Sequence, residues 1–97
     1  MQCYRLYVCS SNQQNQANKA DDDERIAAAT SAAFESFTIV PGTGWFRGRR
    51  ESVRVLMVAT DDEDQVVALA RTLRQLLEQD GVGIESGGVY RRVTADG

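Results

Sequence analysis

Histidine is absent from this chain of 97 residues. Its absence excludes catalysis by an imidazole acid or base, nucleophiles activated by histidine, and metal sites with imidazole ligands. Proline and tryptophan each occur once, at Pro41 and Trp45. We expect neither a bound metal nor a cofactor.

Cysteine is almost as scarce, since only Cys3 and Cys9 are present. On one extended strand, six residues separate their Cα atoms by about 20 Å, whereas a disulfide needs a separation under about 7 Å. The two cysteines cannot pair with each other, and we interpret both as reduced thiols that pack as small, half-buried side chains.

Long apolar runs are also lacking, and none approaches the roughly 20 residues of a membrane span. The first residues have neither the basic start nor the apolar core of a signal peptide. We therefore expect the cytoplasm, or the host cytoplasm if a phage encodes the chain. The net charge of −3 argues against a dedicated nucleic-acid binder, which usually presents a basic surface. The length fits one domain over residues 1–97.

The N-terminal third predicts a strand, a loop and a helix. Residues 2–9 alternate between an apolar face and a mixed face, which is typical of a strand. Residues 10–20 are polar and predict a mobile loop, with a lid over a ligand as the functional alternative. The acidic run at 21–24 predicts the capped start of a helix over about 22–35, with Ala33 facing inward, rather than a metal site, because the spacing is not that of a ligand loop.

The segment 38–60 is the most informative part of the chain. Residues 37–40 predict a short strand, which Pro41 ends or marks as a sheet edge. Residues 51–60 predict a long strand with apolar side chains on both faces, and these need cover on both faces. The connection between the two strands is predicted to turn and bend at glycines, namely Gly42, Gly44 and Gly48.

The C-terminal part predicts a helix followed by two extended segments. Asp61 is the predicted cap of this helix, apolar residues follow at helical spacing, and Gly81 is the predicted left-handed residue after its end. Residues 82–85 predict a strand, Gly87 and Gly88 a turn, and residues 89–94 a further extended segment. With right-handed crossovers, the order β-α-β-β-α-β predicts an α+β, ferredoxin-like sandwich with both helices on one sheet face.

Two helices on one side leave the other face of the long strand uncovered. Another copy of the chain is the economical cover, so we expect a homo-oligomer. From Gly44 to Thr60 the chain resembles the hairpin of the CutA and PII-like trimers, through Trp45, Gly48, Arg49, Glu51 and the apolar strand that follows. The resemblance implies a PII-like homotrimer assembled through the open sheet faces.

The chain is also similar in size and layout to the small phage-encoded enzymes that degrade S-adenosylmethionine, called SAM hydrolases or SAM lyases. These are PII-like trimers with sites between subunits. The similarity is carried by residues 37–39, the glycine turn, Trp45 and Glu51. It implies cleavage of S-adenosylmethionine to methylthioadenosine and homoserine lactone, and it makes Glu51 the candidate catalytic residue.

Physical chemistry gives the same residues a possible binding role. A carboxylate at Glu51 could hold a sulfonium or a pair of ribose hydroxyls, or it could form only a surface ion pair with a neighbouring arginine. The other candidates are rings that could stack on adenine, glycines whose N–H groups could reach an anion, and arginines that could bind a phosphate or carboxylate, namely Tyr7, Trp45, Phe46, Gly42, Gly44, Arg49 and Arg50. The alternative for the aromatic rings is a packing role, for the glycines an ordinary turn, and for the arginines a solvated position at the tip of the hairpin.

The predicted fold, the resemblances and the candidate residues are compatible with three functions. The chain could be an enzyme that acts on S-adenosylmethionine between subunits. It could instead be a non-catalytic PII-like or CutA-like trimer that binds an adenine nucleotide or another small anionic metabolite. The third possibility is a structural or inhibitory trimer that binds a host partner. The expected partners in the first two cases are a small molecule and further copies of the chain, and not a membrane.

Overall fold

The computed structural model describes residues 1–9 and 16–96, with residues 16–20 described by their backbone alone. The elements follow in the order β1 (Gln2–Cys9), α1 (Gln16–Ser31), β2 (Thr38–Phe46), β3 (Arg49–Thr60), α2 (Glu63–Leu76), β4 (Gly81–Ser86) and β5 (Val89–Thr94). This order confirms the predicted α+β, ferredoxin-like arrangement, and the extended segment at its end is a fifth strand.

The five strands form one antiparallel sheet in the order β2-β3-β1-β4-β5. The pairing of β1 with β3 runs from Gln2 opposite Thr60 to Cys9 opposite Val53. Both helices lie on one face of the sheet. Alternate strand residues point into the core between the two layers, where they meet apolar side chains of the helices, and the largest fully buried members are Leu6, Ile26, Leu56, Leu73 and Leu77.

The first helix begins earlier than the sequence suggests. It spans Gln16–Ser31 rather than 22–35, so the predicted loop is wrong for residues 16–20. Residues 10–15, and with them the expected lid, lie outside the described residues. The acidic run does not cap the helix but lies inside it: Asp22 is buried, and Asp23 forms an ion pair with Arg54 of β3. A helix with polar residues on every side of its first turns has no apolar stripe from which its start can be read.

Near the end of α1, the residues that face the core lie one position away from those that the sequence predicts. Ile26 and Thr30 are fully buried, and Phe34 joins the core just after the helix. Ala33, which was predicted to face inward, is exposed. The Thr30 hydroxyl donates to the carbonyl oxygen of Ile26 at 2.7 Å, which satisfies the buried polar group within the helix.

The second strand is longer than predicted because it continues through its proline and glycines. Residues Thr38–Phe46 pair with β3 without interruption, and Pro41 lies opposite Arg54. As the edge of the sheet, β2 tolerates a residue that lacks an N–H group. The predicted turn at Gly42 and Gly44 is therefore wrong. The hairpin turns at Arg47 and Gly48, which both have positive φ, 53° and 77°.

The second helix has a different cap from the predicted one. The Asp62 side chain, not Asp61, accepts from the backbone N–H of Gln65 at 3.2 Å. After the helix, Glu78 takes the left-handed conformation with φ 53°, and Gly81 is the first residue of β4. The predicted role of Gly81 as the residue that follows the helix end is therefore wrong.

The last two strands form the predicted hairpin around Gly87 and Gly88, which have φ 58° and 83°. Such a two-residue turn with positive φ at both positions matches the twist of an antiparallel pair. In the described part of the chain, neither helix combines the length and the hydropathy needed to cross a lipid bilayer.

Candidate functional site

The candidate site lies on the face of the sheet opposite to α1 and α2, here called the open face. Residues of β3 at odd positions point to this face, and Val53, Val55 and Met57 are only half-buried there. Val40 of β2 lies opposite Val55 and is 38% exposed. The predicted surplus apolar face of the long strand is thus present, and no element among residues 1–9 and 16–96 packs over it.

Large side chains of β5 lie across the glycines of β4 on this face. A Cβ added at Gly83 would lie 2.4 Å from the hydroxyl of Tyr90, and one added at Gly81 would lie 2.6 Å from Nε of Arg92. The two glycines thus provide the space that the tyrosine ring and the guanidinium group occupy. The Tyr90 ring reaches towards Tyr7 of β1, with 6.3 Å between the ring centres.

The predicted catalytic carboxylate, Glu51, lies at one end of the open face and is half-buried. The Cys9 thiol donates to its Oε2 at 3.3 Å. Arg49 and Arg50 precede it directly in β3, yet within residues 1–9 and 16–96 no arginine forms an ion pair with Glu51 at 4.0 Å or less. The carboxylate is therefore not neutralised by its sequence neighbours.

The thiol beside this carboxylate is held in its protonated form. Burial, the hydrogen bond to Glu51 and the negative charge of Glu51 raise the pKa of Cys9 to about 11, and the positive charge of Arg92 opposes this shift. A protonated thiol at neutral pH is a hydrogen-bond donor and not a nucleophile. In this arrangement Cys9 is therefore a polar partner of Glu51.

Phe46 connects the hairpin tip with the far edge of the sheet. The Cζ of Arg92 lies 5.8 Å from the centre of the Phe46 ring, and the Cζ of Arg47 lies 5.1 Å from it. Both distances fall within the range of cation–π attraction. Two guanidinium groups and an exposed ring therefore converge near the end of the open face that carries Glu51 and Cys9.

The sequence-predicted site residues divide between the two faces. By strand register, six of them share the open face, namely Glu51, Tyr7, Gly42, Gly44, Phe46 and Arg49. Trp45 and Arg50 lie opposite each other on the other face of the hairpin, where Trp45 is 67% exposed. Stacking by Trp45 and anion binding by Arg50 stay predictions, but they would need a site on that second face.

The two glycines of β2 have a packing role at this place. A Cβ at Gly42 or Gly44 would lie 3.3–3.4 Å from a methyl group of Val53. Their backbones belong to the strand pair with β3, so they do not form the anion-binding turn that the sequence suggested. Binding through their N–H groups stays a prediction.

A second concavity lies at the opposite end of β1 and β3. It has a volume of about 580 Å³ and lies between the strand ends and the connection from α1 to β2, with Cys3, Phe37 and Met57 among its lining residues. Its walls are mostly apolar or small, and it does not include Glu51. This cleft therefore offers less for chemistry than the Glu51 end of the open face.

Sequence reasoning missed Arg92 and Tyr90 and read Cys9 only as packing. The available signal was Gly81 and Gly83 in β4, two glycines two residues apart on one strand face, which leave room for large side chains from a neighbouring strand. The pairing of Cys9 with Glu51 had no such signal, because it depends on the register between β1 and β3.

Comparison with known proteins shows likeness in three-dimensional structure only. No family model matches the chain, and no curated protein matches its sequence. A phage SAM lyase in its apo state has 18% sequence identity and a TM-score of 0.64, with 99% of this chain and 90% of that chain covered. A phage SAM lyase in complex with S-methyl-5′-thioadenosine has 19% identity and a TM-score of 0.54, with 98% and 90% covered.

A de novo designed protein with a ferredoxin fold is also similar, with 11% identity, a TM-score of 0.42, and 98% and 85% of the two chains covered. The relationship to the phage SAM lyases that the hairpin residues suggested is confirmed in the fold, which this chain shares with them over nearly its whole length.

Proposed function

We propose that this chain is an enzyme that cleaves S-adenosylmethionine to methylthioadenosine and homoserine lactone, at sites on the open face that are shared between chains. The observation that carries the proposal is the half-buried Glu51 carboxylate, without an arginine ion pair among the described residues, on an apolar face beside Phe46 and Arg92. The fold shared with phage SAM lyases supports it, as does the thioadenosine bound to one of them.

The proposed reaction needs no proton transfer by the protein. A carboxylate oxygen of the methionyl part attacks Cγ, the bond from Cγ to sulfur breaks, and its electron pair stays on sulfur. The sulfonium becomes the neutral thioether of methylthioadenosine, and homoserine lactone keeps the ammonium group. The requirement is to fold the substrate into attack geometry, which a chain without histidine can meet.

An apolar environment favours this reaction. The carboxylate and sulfonium charges disappear together on the way to the transition state, so water stabilises the separated charges of the substrate more than the transition state. The open face has apolar side chains beside Glu51, and a second chain over it would exclude water. The surplus apolar surface would then serve both assembly and catalysis.

The role of Glu51 follows from the same argument. A carboxylate against the sulfonium would stabilise the substrate more than the transition state, because the sulfonium loses its charge during the reaction. Glu51 therefore binds a group that stays polar throughout, either the ribose hydroxyl pair or the α-ammonium group. Held there, it fixes the substrate and does not oppose the chemical step.

The test is to incubate the chain with S-adenosylmethionine and to measure methylthioadenosine and homoserine lactone by mass spectrometry. Glu51→Gln should abolish the products, whereas Glu24→Gln, at an exposed carboxylate of α1, should leave the rate unchanged. If no product forms and S-adenosylmethionine does not raise the melting temperature, the proposal is wrong. Activity retained in Glu51→Gln would remove the assigned role of this residue.

One observation favours a second candidate function. Arg47 and Arg92 both lie over the exposed Phe46 ring, and such a group of cations beside an aromatic ring suits a phosphate-bearing adenine ligand. A non-catalytic trimer that binds an adenine nucleotide would use the same end of the open face. A rise in melting temperature with ATP, without turnover of S-adenosylmethionine, would favour this alternative.

A further inference from the structure

We propose that Cys9 is a positioning residue for Glu51: its thiol donates to one carboxylate oxygen and leaves the other oxygen available to the ligand. The inference rests on the proposed function, because it assigns Cys9 a part in the same site. It is carried by the 3.3 Å contact between Sγ of Cys9 and Oε2 of Glu51 and by the half-buried position of both side chains.

The sheet register explains why this contact is specific. Cys9 lies directly opposite Val53, two residues along β3 from Glu51, and all three side chains point to the open face. Glu51 lies near the hairpin end of β3, where its pair partner is Gly44 of β2, which has no side chain. On the β1 side of Glu51, Cys9 is therefore the side chain that restrains the Glu51 carboxylate.

Burial and the Glu51 carboxylate keep the Cys9 thiol protonated and therefore a donor, and the positive charge of Arg92 opposes them. Among the described residues, the charged groups that act on it are Glu51 from β3 and Arg92 from β5, and Tyr7 is the titratable neighbour on its own strand face. A thiolate beside the Glu51 carboxylate would place two negative charges next to each other, so the protonated form is favoured. With the pKa of Cys9 raised to about 11, the donor persists throughout the physiological range.

The other cysteine provides an internal comparison. Cys3 lies on the same face of the same strand but is exposed, and its thiol contacts no carboxylate among the described residues. A rise in thiol pKa from 9.0 to about 11 lowers the thiolate fraction at pH 8 about 100-fold. The greater nucleophilicity of the more basic thiolate recovers part of this loss, so the net slowing of alkylation is about tenfold.

The first arm of the experiment does not need enzyme activity. The rate of iodoacetamide alkylation at Cys9 is measured at pH 8 in a Cys3→Ser background, with and without Glu51→Gln. Cys9 should react about tenfold more slowly than Cys3 does in a Cys9→Ser background, and Glu51→Gln should accelerate its alkylation several-fold because a neutral amide replaces the repelling charge. An alkylation rate that Glu51→Gln leaves unchanged would overturn the inference.

The second arm uses the lyase reaction. Cys9→Ser keeps a donor and should retain most of the activity. Cys9→Ala removes the donor and should lower kcat/KM several-fold, because the Glu51 carboxylate is then no longer restrained. Equal activity of Cys9→Ala and Cys9→Ser would overturn the inference, since packing alone does not require a hydrogen-bond donor at this position.

The two arms separate the inference from the proposed function. If the parent chain forms no methylthioadenosine, the proposed function fails, and the alkylation arm alone decides whether Cys9 holds Glu51. If the lyase reaction is present but Cys9 alkylation does not respond to Glu51→Gln, the reaction stands and the positioning role is wrong.

Discussion

Phe46 and Arg92 belong to the two strands at opposite edges of the five-stranded sheet, yet the Arg92 guanidinium carbon lies 5.8 Å from the centre of the Phe46 ring. The contact shows that side chains of the hairpin tip and of β5 meet over the open face. Arg92 is also close enough to Cys9 to lower its pKa against the effect of burial. Arg92 therefore brings a cation from the last strand to the Glu51 end of the site.

The first prediction concerns this cation. Within residues 1–9 and 16–96, Arg92 has no carboxylate at 4.0 Å or less, so it is available for an anionic group of a ligand. Arg92→Gln should raise KM for S-adenosylmethionine tenfold or more, because hydrogen bonds to charged groups contribute roughly 1.5–3 kcal/mol. It should not lower kcat, because the carboxylate that Arg92 would hold loses its charge in the reaction. Binding of decarboxylated S-adenosylmethionine, measured by calorimetry, should change little.

The matched control is Arg71→Gln, at an exposed arginine of α2. It removes the same charge from the helical layer of the molecule. It should change neither KM for S-adenosylmethionine nor the affinity for decarboxylated S-adenosylmethionine. Equal weakening of the two ligands by Arg92→Gln would show that Arg92 does not recognise the carboxylate.

The second prediction concerns stability. The Arg54 side chain is 11% exposed and forms an ion pair with Asp23 of α1, which is 43% exposed. Asp23→Ala leaves a nearly buried guanidinium without its partner and should cost about 1–3 kcal/mol of unfolding free energy. Arg54→Met replaces the buried charge by an apolar side chain and should be neutral within about 1 kcal/mol.

Urea denaturation of the two variants measures this asymmetry. In Arg54→Met the remaining Asp23 carboxylate is exposed enough to be solvated. In Asp23→Ala the remaining Arg54 guanidinium is nearly buried and cannot be solvated, so this variant should lose more stability. Equal destabilisation by both changes would show that the ion pair stabilises the fold through charge attraction, and not only by compensating the desolvation of the buried Arg54 guanidinium.

The strands and the core could be predicted because apolar residues recur at regular spacing in the strands and in α2. The alternation in residues 2–9 and 51–60 assigned each side chain to a face before the structure was known, and the leucines of α2 gave its buried side. Local signals failed where tertiary pairing overrode them. Pro41 and Gly42 are typical of a turn, but their pairing with β3 at the edge of the sheet keeps them in a strand.

The candidate site was predictable only in part for a different reason. The strand positions of Glu51 and Tyr7 could be predicted because each lies on a strand that the sequence pattern defines. Cys9 and Arg92 join them through pair register and sheet order, which bring together residues distant in the chain. Neither quantity follows from local sequence, because β1 and β3 are far apart in the chain and no tight turn between them fixes their register.

The third prediction concerns pH. The carboxylate of Glu85 accepts from the backbone N–H of Gly88 at 3.1 Å and from Arg5 at 2.8 Å, and these contacts lower its pKa. A group whose pKa is lower in the folded state contributes stability above its unfolded pKa, near 4.3, and loses it as the pH falls through the folded value. Stability should therefore decline on acidification below about pH 4.3.

Glu85→Gln removes the titrating group and should flatten this part of the stability curve. Urea midpoints measured between pH 3 and pH 6 for both chains give the comparison. The variant should be less stable than the parent at pH 6, and the difference should shrink towards pH 3. A difference that stays constant with pH would contradict the assignment.

The fourth prediction concerns assembly, on which the proposed shared site depends. Val55 lies in the middle of the open face, between Tyr7 and Val40 in the strand register, and is half-buried although no helix covers it. We expect the parent chain to have three times its 10.7 kDa mass in light scattering at micromolar concentration. Val55→Lys should give a monomer, because a trimer would bury an unpaired ammonium group.

The variant should keep its secondary structure by circular dichroism, since the apolar core lies on the other face of the sheet. Ala68→Lys, on the exposed side of α2, adds the same charge and should leave the mass unchanged. If the sites are shared between chains, Val55→Lys should lose lyase activity together with the trimer, and activity of the parent chain should fall on dilution through the dissociation range. A parent chain that is monomeric at micromolar concentration, or a monomeric Val55→Lys with full activity, would show that the open face works without a partner.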